Sequence, residues 1–180
     1  ISYAYSKFSA QDLDLISKSL LESNVHCAEF HNAISENDYT SFYNNFLTPD
    51  MCSHLWSLNL NNSINLDLPL LFKKLSNISS LSLAYCGIEI NSTIRLIHES
   101  DMKYLKYLNL SGNLCKENLD MSVKLPNNLT HIMVNDVSWN DKSLTSFISL
   151  VLQLTKNEKN QQIQINQNNP NKKPKDLYLS

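Results

Sequence analysis

Apolar residues along this chain fall into a short pattern that recurs. In "LKYLNLSGNLC", residues 105–115, leucines hold the first, fourth and sixth places and Asn113 the ninth. Ile78, Leu81, Leu83 and Cys86 reproduce the spacing with Ile88 at the eleventh place, and Leu55, Leu58, Leu60 and Ser63 reproduce it again with Ile64 beside the ninth. Leu129, Ile132 and Val134 keep the apolar places but put Val137 ninth. "VSWN" at 137–140 resembles a strand end and turn about three residues late, which predicts an insertion or a shifted register in that unit. A fifth unit has polar Asn160 first, then Ile163, Ile165 and Asn168. The five units start 23, 27, 24 and 31 residues apart. Alternation at places four to six is the mark of a strand with one buried face, because successive strand side chains point to opposite sides. A recurrence of 20 to 30 residues marks stacked units that cannot bury their apolar edge alone.

Between the strands the period lengthens toward that of a helix. "EINSTIRLIHES" predicts a helix capped by Asn91, with Ile94, Leu96 and Ile97 as its apolar stripe. "LPLLFKKL" puts Pro69 at a first helical position, with Leu71, Phe72 and Leu75 behind it. Asp141 opens the longest signal, in which Leu144, Phe147, Ile148, Val151 and Leu152 fall at helical spacing.

Residues 1–50 carry no clear unit. Ser9 and Asp12 stand in cap-like spacing before Leu13, Ile16, Leu20 and Leu21, and Ser35 and Asp38 before Tyr39, Phe42, Tyr43, Phe46 and Leu47. Two helices follow from this. They belong either to degenerate units, with a strand around Val25 to Ala28, or to a cap over the end of the array. The chain then divides into this helical part, about five units over 51–170, and 171–180 as a tail or the start of a further unit with a strand at Leu177 to Leu179. Beginning at Ile1 within the pattern, it reads as a fragment of a longer protein.

The unit spacing and its ninth-place Asn or Cys resemble the leucine-rich repeat superfamily, in its intracellular ribonuclease-inhibitor-like and cysteine-containing subtype. The resemblance covers residues 50 to 170 and implies an α/β solenoid, a horseshoe segment with parallel strands on the concave face and helices on the convex face. "LSGN" at 110–113 and "VSWN" resemble, more distantly, the repeats of CARMIL-type actin-capping-protein regulators. Repeats of this subtype also occur in Ran GTPase-activating proteins and in nucleotide-binding immune receptors.

Composition narrows the function by exclusion. Fifteen basic against 17 acidic residues, with Arg95 the one arginine, offers no electrostatic reason for nucleic acid. No apolar run approaches the length of a membrane span. Cys27, Cys52, Cys86 and Cys115 show no paired spacing, and Cys86 and Cys115 sit at core-facing places, so a reduced, cytoplasmic setting is expected. The five N-x-S/T sequons, at Asn61, Asn77, Asn91, Asn109 and Asn128, are about as many as the Asn, Ser and Thr content gives by chance. His26, Cys27 and His31 match no zinc spacing. The two glycines, Gly87 and Gly112, build no phosphate cradle, and Asp101, Glu117, Asp120, Asp136 and Asp141 fit turns and helix starts. No catalytic constellation, cofactor, metal or small-molecule ligand is expected.

Function is therefore expected on the outward strand places: Ser57, Asn59 and Asn61; Ser80, Ser82 and Ala84; Tyr107, Asn109 and Ser111; His131, Met133 and Asn135; Gln162, Gln164 and Asn166. None carries a full charge at neutral pH. Tyr107, His131 and Met133 lie on neighbouring strands, with Asn59, Ser82 and Asn109 around them and Trp56 and Tyr85 nearer the strand edges; rings beside an adaptable methionine are residue types that anchor protein partners. The other reading of Tyr107 is as a cover over polar neighbours, of Trp56 as packing under the N-terminal helices, and of Trp139 as core. The expectation is a non-enzymatic protein-interaction module, part of an intracellular scaffold or regulator such as an actin-cytoskeleton regulator. The alternatives are a GTPase-activating regulator and a purely architectural part of a large assembly.

Overall fold

A computed structural model describes residues 2–4, 8–32, 39–116, 118–153 and 178–179. The architecture is α/β. Strands β1 (Ser2–Ala4), β2 (Cys27–His31), β3 (Ser57–Asn59), β4 (Ser80–Ser82), β5 (Tyr107–Asn109), β6 (His131–Met133) and β7 (Tyr178–Leu179) form one sheet. Every pairing is parallel, and the order across the sheet is the order along the chain. The helices are α1 (Ala10–Glu22), α2 (Tyr39–Ser41) running into a π-helical turn at Phe42–Phe46, α3 (Pro49–His54), α4 (Leu68–Lys74), α5 (Ile90–Glu99) and α6 over 141–153.

The register is set by the apolar places. Ala28, Leu58, Leu81, Leu108 and Ile132 pair across the sheet at the fourth place, and none is more than 1% exposed. Slipping one strand by a residue would turn its leucines to solvent, so the pattern is self-enforcing. At the sixth place Leu60, Leu83 and Leu110 are fully buried. Just beyond, Asn32, Asn62, Tyr85, Gly112 and Asp136 all have positive φ, from 47° to 67°. The first four send their N–H to the next unit's carbonyl, at Asn61, Ala84, Ser111 and Asn135, over 2.8 to 3.1 Å. Asp136 holds the eighth place of its own unit, so the register of that unit is unshifted through the strand exit and the expected insertion at "VSWN" is corrected. Val137 is half-buried at the ninth place.

Asn113 shows what the ninth place does. Buried to 1% exposure, its amide donates to Leu83 O, Leu110 O and Ser111 O and accepts from Cys86 N–H and Ile88 N–H. Two adjacent units are thereby tied through one side chain. Cys86, at the same place one unit earlier, turns its Sγ–H to Leu60 O at 3.2 Å.

The N-terminal residues extend the same sheet. Ala28 and Phe30 take the places of the two strand leucines, and Phe30 is fully buried against Phe8, Phe42 and Phe46 at ring distances of 6.1, 5.3 and 4.7 Å. Helix α1 begins at the expected cap: Ser9 Oγ accepts from Asp12 N–H while the Asp12 carboxylate accepts from Ser9 N–H. Ser35 and Asp38 lie outside the described residues, and Tyr39, Phe42, Tyr43, Phe46 and Leu47 are all buried.

Several expectations are corrected. The cap of α5 is Glu89, whose carboxylate accepts from Ser92 N–H; Asn91 lies inside the helix, buried, where its oxygen accepts from Asp120 N–H. Pro69 is the second residue of α4, behind the Asp67 cap. Among the described residues between β5 and β6 there is no helix: Leu119, Val123 and Leu125 reach the core from turns and irregular segments instead. In α6, Phe147, Leu150 and Val151 are buried, whereas Leu144, Ile148 and Leu152 are 40–52% exposed. The neighbour of β6 is Tyr178–Leu179, and the unit expected from Asn160, with Gln162, Gln164 and Asn166, lies outside the described residues.

Candidate functional site: the open strand face

Residues alternating with the buried rows line the open side of the sheet. Two rows cross it in register: Cys27, Ser57, Ser80, Tyr107 and His131 form one, and Glu29, Asn59, Ser82, Asn109 and Met133 the other. Tyr107, His131 and Met133 are brought together as the sequence suggested. Tyr107 and His131 rings lie 6.1 Å apart, and the Tyr107 hydroxyl donates to the Met133 sulfur. All three are half-buried. His131 is held by Thr130, whose Oγ lies 3.0 Å from Nδ1.

The polar floor is largely satisfied within itself. Ser82 Oγ–H and Ala84 N–H both donate to Asn61 Oδ1, at 2.7 and 2.8 Å, and Ser82 is only 8% exposed, so it offers a partner less than its place implied. Asn59 Oδ1 accepts from Asn61 N–H, and Asn109 Oδ1 from Ser111 N–H, each at 3.0 Å. Such local bonds fix the amides and cut the entropy a partner must freeze.

Trp56 and Tyr85 stand apart from that cluster. Trp56 is 59% exposed and stacks flat on His26 at 4.3 Å, rather than packing under the N-terminal helices. His26 in turn donates through Nδ1 to His54 O, and His54 through Nε2 to Val25 O. Tyr85 is half-exposed; its hydroxyl donates to Asp136 at 2.6 Å, a contact that pushes the phenol up from its ordinary pKa. Its ring lies over Gly112, where any Cβ would fall about 2.1 Å from a ring carbon. That clasp spans three strand exits. Trp139 is half-buried and tilts against Phe147 at 5.0 Å.

Sequence reasoning missed the β2 part of this face. Glu29 and His31 lie on it, 3.5 Å apart, so the expectation of a face without full charge is corrected by Glu29. The signal was weak because Ala28 and Phe30 replace the leucines that mark the other units; outward polar residues flanking an inward pair were legible only once the pair was recognised.

Burial pushes the thiols of Cys52 and Cys86 up to about 11 and raises that of Cys115, so none of the three is an activated nucleophile. Among the described residues no group of three or more His, Cys, Asp or Glu is placed to hold a metal ion, and no helix is long and apolar enough to cross a membrane. A cleft of about 320 Å³ lies away from the face, between the end of α5 and residues 124–128. It exposes Lys103 and Lys124 without a convergent polar set. No known protein family matches the chain, and no curated protein matches it either.

Proposed function

We propose that this chain is a segment of a leucine-rich repeat solenoid whose concave strand face binds another protein, without catalysis, in a reducing compartment such as the cytoplasm. One observation carries the reading: Tyr107, His131 and Met133 form a half-buried cluster of rings and thioether on adjacent strands, beside a floor where the Asn59, Asn61 and Asn109 amide oxygens already accept bonds within the sheet. A surface of that kind exchanges water for partner contact with little desolvation cost. Burial of Cys52, Cys86 and Cys115 as small core side chains supports the compartment. Resemblance of "LSGN" and "VSWN" to the repeats of actin-capping-protein regulators supports a place in cytoskeletal regulation.

The reading is tested by quantitative affinity capture from cytosol with the parent and with Tyr107→Ala. Truncating a central ring commonly costs about 2 kcal/mol or more. Bound proteins should therefore fall together on Tyr107→Ala, while the fold, read by circular dichroism, is unchanged. Capture identical in the two proteins would overturn the concave-face assignment. A second reading, as an architectural part wedged between neighbours, is favoured by the exposed ridge of Leu144, Ile148 and Leu152 on α6. In that case Ile148→Ser, not Tyr107→Ala, would release the partners.

A further inference from the structure

Glu29 stands out as the one acidic side chain among the described residues of the open face, half-exposed on β2. Asn59 Oδ1 is occupied by Asn61 N–H at 3.0 Å, which fixes the amide so that its Nδ2 hydrogens face His31 Nε2 at 3.3 Å. The same nitrogen lies 3.5 Å from Glu29 Oε2, so Asn59 and Glu29 share His31 Nε2 between them. With its side chain 46% exposed, Glu29 is the one full negative charge among the described residues of the open face.

Its place in the register supplies the geometry. The row Glu29, Asn59, Ser82, Asn109, Met133 crosses five parallel strands. At about 4.8 Å per strand it spans roughly 19 Å, the length of five or six extended residues. Between its ends no side chain is larger than asparagine. Asn109 uses its oxygen internally, so what it presents along the track are Nδ2 hydrogens, donors suited to a peptide carbonyl. At the far end Met133 lies under the Tyr107 hydroxyl, an apolar station.

We propose that this row is a peptide track: it takes an extended segment of a partner protein, seating a lysine or arginine at Glu29 and an apolar side chain, about five residues away, on Met133 and Tyr107. The inference rests on the concave-face reading and adds the chemistry of the occupant. Glu29 attracts the cation, and the Asn109 amide, fixed by Ser111 N–H, bonds the intervening backbone through its Nδ2 hydrogens.

The test is selection of a random linear-peptide library displayed on phage against the full chain, followed by titration of synthetic forms of the enriched peptides. Enriched sequences should pair Lys or Arg with Leu, Met or an aromatic residue about five positions away. Glu29→Gln, which keeps the shape and removes the charge, should weaken them about fivefold, as loss of one half-exposed ion pair does. Tyr107→Ala should weaken them about thirtyfold. Glu29→Lys should turn the selection toward Asp and Glu at that station. Peptides that lose affinity on Tyr107→Ala but not on Glu29→Gln would overturn the cation station and leave the face standing as a binding surface. Peptides indifferent to both, or a library that yields no binder, would overturn both.

Discussion

At the residue scale, one amide holds more structure together than any leucine near it. Asn113 replaces the water that five backbone groups of two units would otherwise need, and it is sealed from solvent. Asn113→Ala should lower stability by about 3 kcal/mol or more, because removing one partner strands buried donors and acceptors together. Urea denaturation reads this directly; a midpoint within about 0.5 kcal/mol of the parent would mean those groups find other partners. The place of Asn113 was legible from spacing alone, since it is the ninth of its unit. Phe30 was not legible as a strand residue. A phenylalanine at a leucine place works only beside alanine, with Phe8, Phe42 and Phe46 arriving from elsewhere in the chain to wrap it, and that compensation has no local sequence mark.

At the element scale, caps decided which expectations held. Ser9 and Asp12 form a reciprocal box; the Ser9 hydroxyl and then its N–H, both donating to the Asp12 carboxylate, draw that carboxyl below its ordinary pKa, and α1 starts where the spacing predicted. For α5 the spacing favoured Asn91, the better intrinsic cap, yet Glu89 closes the helix because its backbone bridges Leu114 of the next unit and fixes the chain direction there. Tertiary pairing thus outweighed propensity by two residues. The stretch after β5 shows the same contest, as Leu119, Val123 and Leu125 fill the core from turns and leave no helical stripe to read. Ser9→Ala should cost about 1 kcal/mol, and the loss should appear in α1 amide exchange before it appears in the strands. Equal loss of protection in α1 and in β4 would place the cap inside the cooperative core instead.

At the scale of the whole molecule, the sheet is a chain of nearest-neighbour interfaces: each strand bonds the next, consecutive units share left-handed exits, and Cys86 and Asn113 add side-chain ties at the ninth place. The inward leucines made that array legible over Leu55 to Val134. The open face was legible where those leucines marked it, through Tyr107, His131 and Met133, and illegible at Glu29 and His31. Burial of thiols along the array has a thermodynamic consequence. Cys52 and Cys86 are pushed from an ordinary 9.0 up to about 11, chiefly by desolvation, and burial likewise raises Cys115 and Tyr43. Below pH 9 folded and unfolded thiols are both protonated, and these groups leave stability unchanged. Between pH 9 and about 11 the unfolded chain releases protons that the folded chain keeps, so stability falls as pH rises, by about 1.4 kcal/mol per unit for each thiol at most. Unfolding free energy should therefore drop by on the order of 2 kcal/mol or more from about pH 8 to about pH 10.5. The cause is checked with Cys52→Ala/Cys86→Ala: the double variant starts lower, from two small cavities, but its stability should fall less steeply over the same interval. Equal slopes in parent and double variant would show that the alkaline loss does not come from the thiols of Cys52 and Cys86.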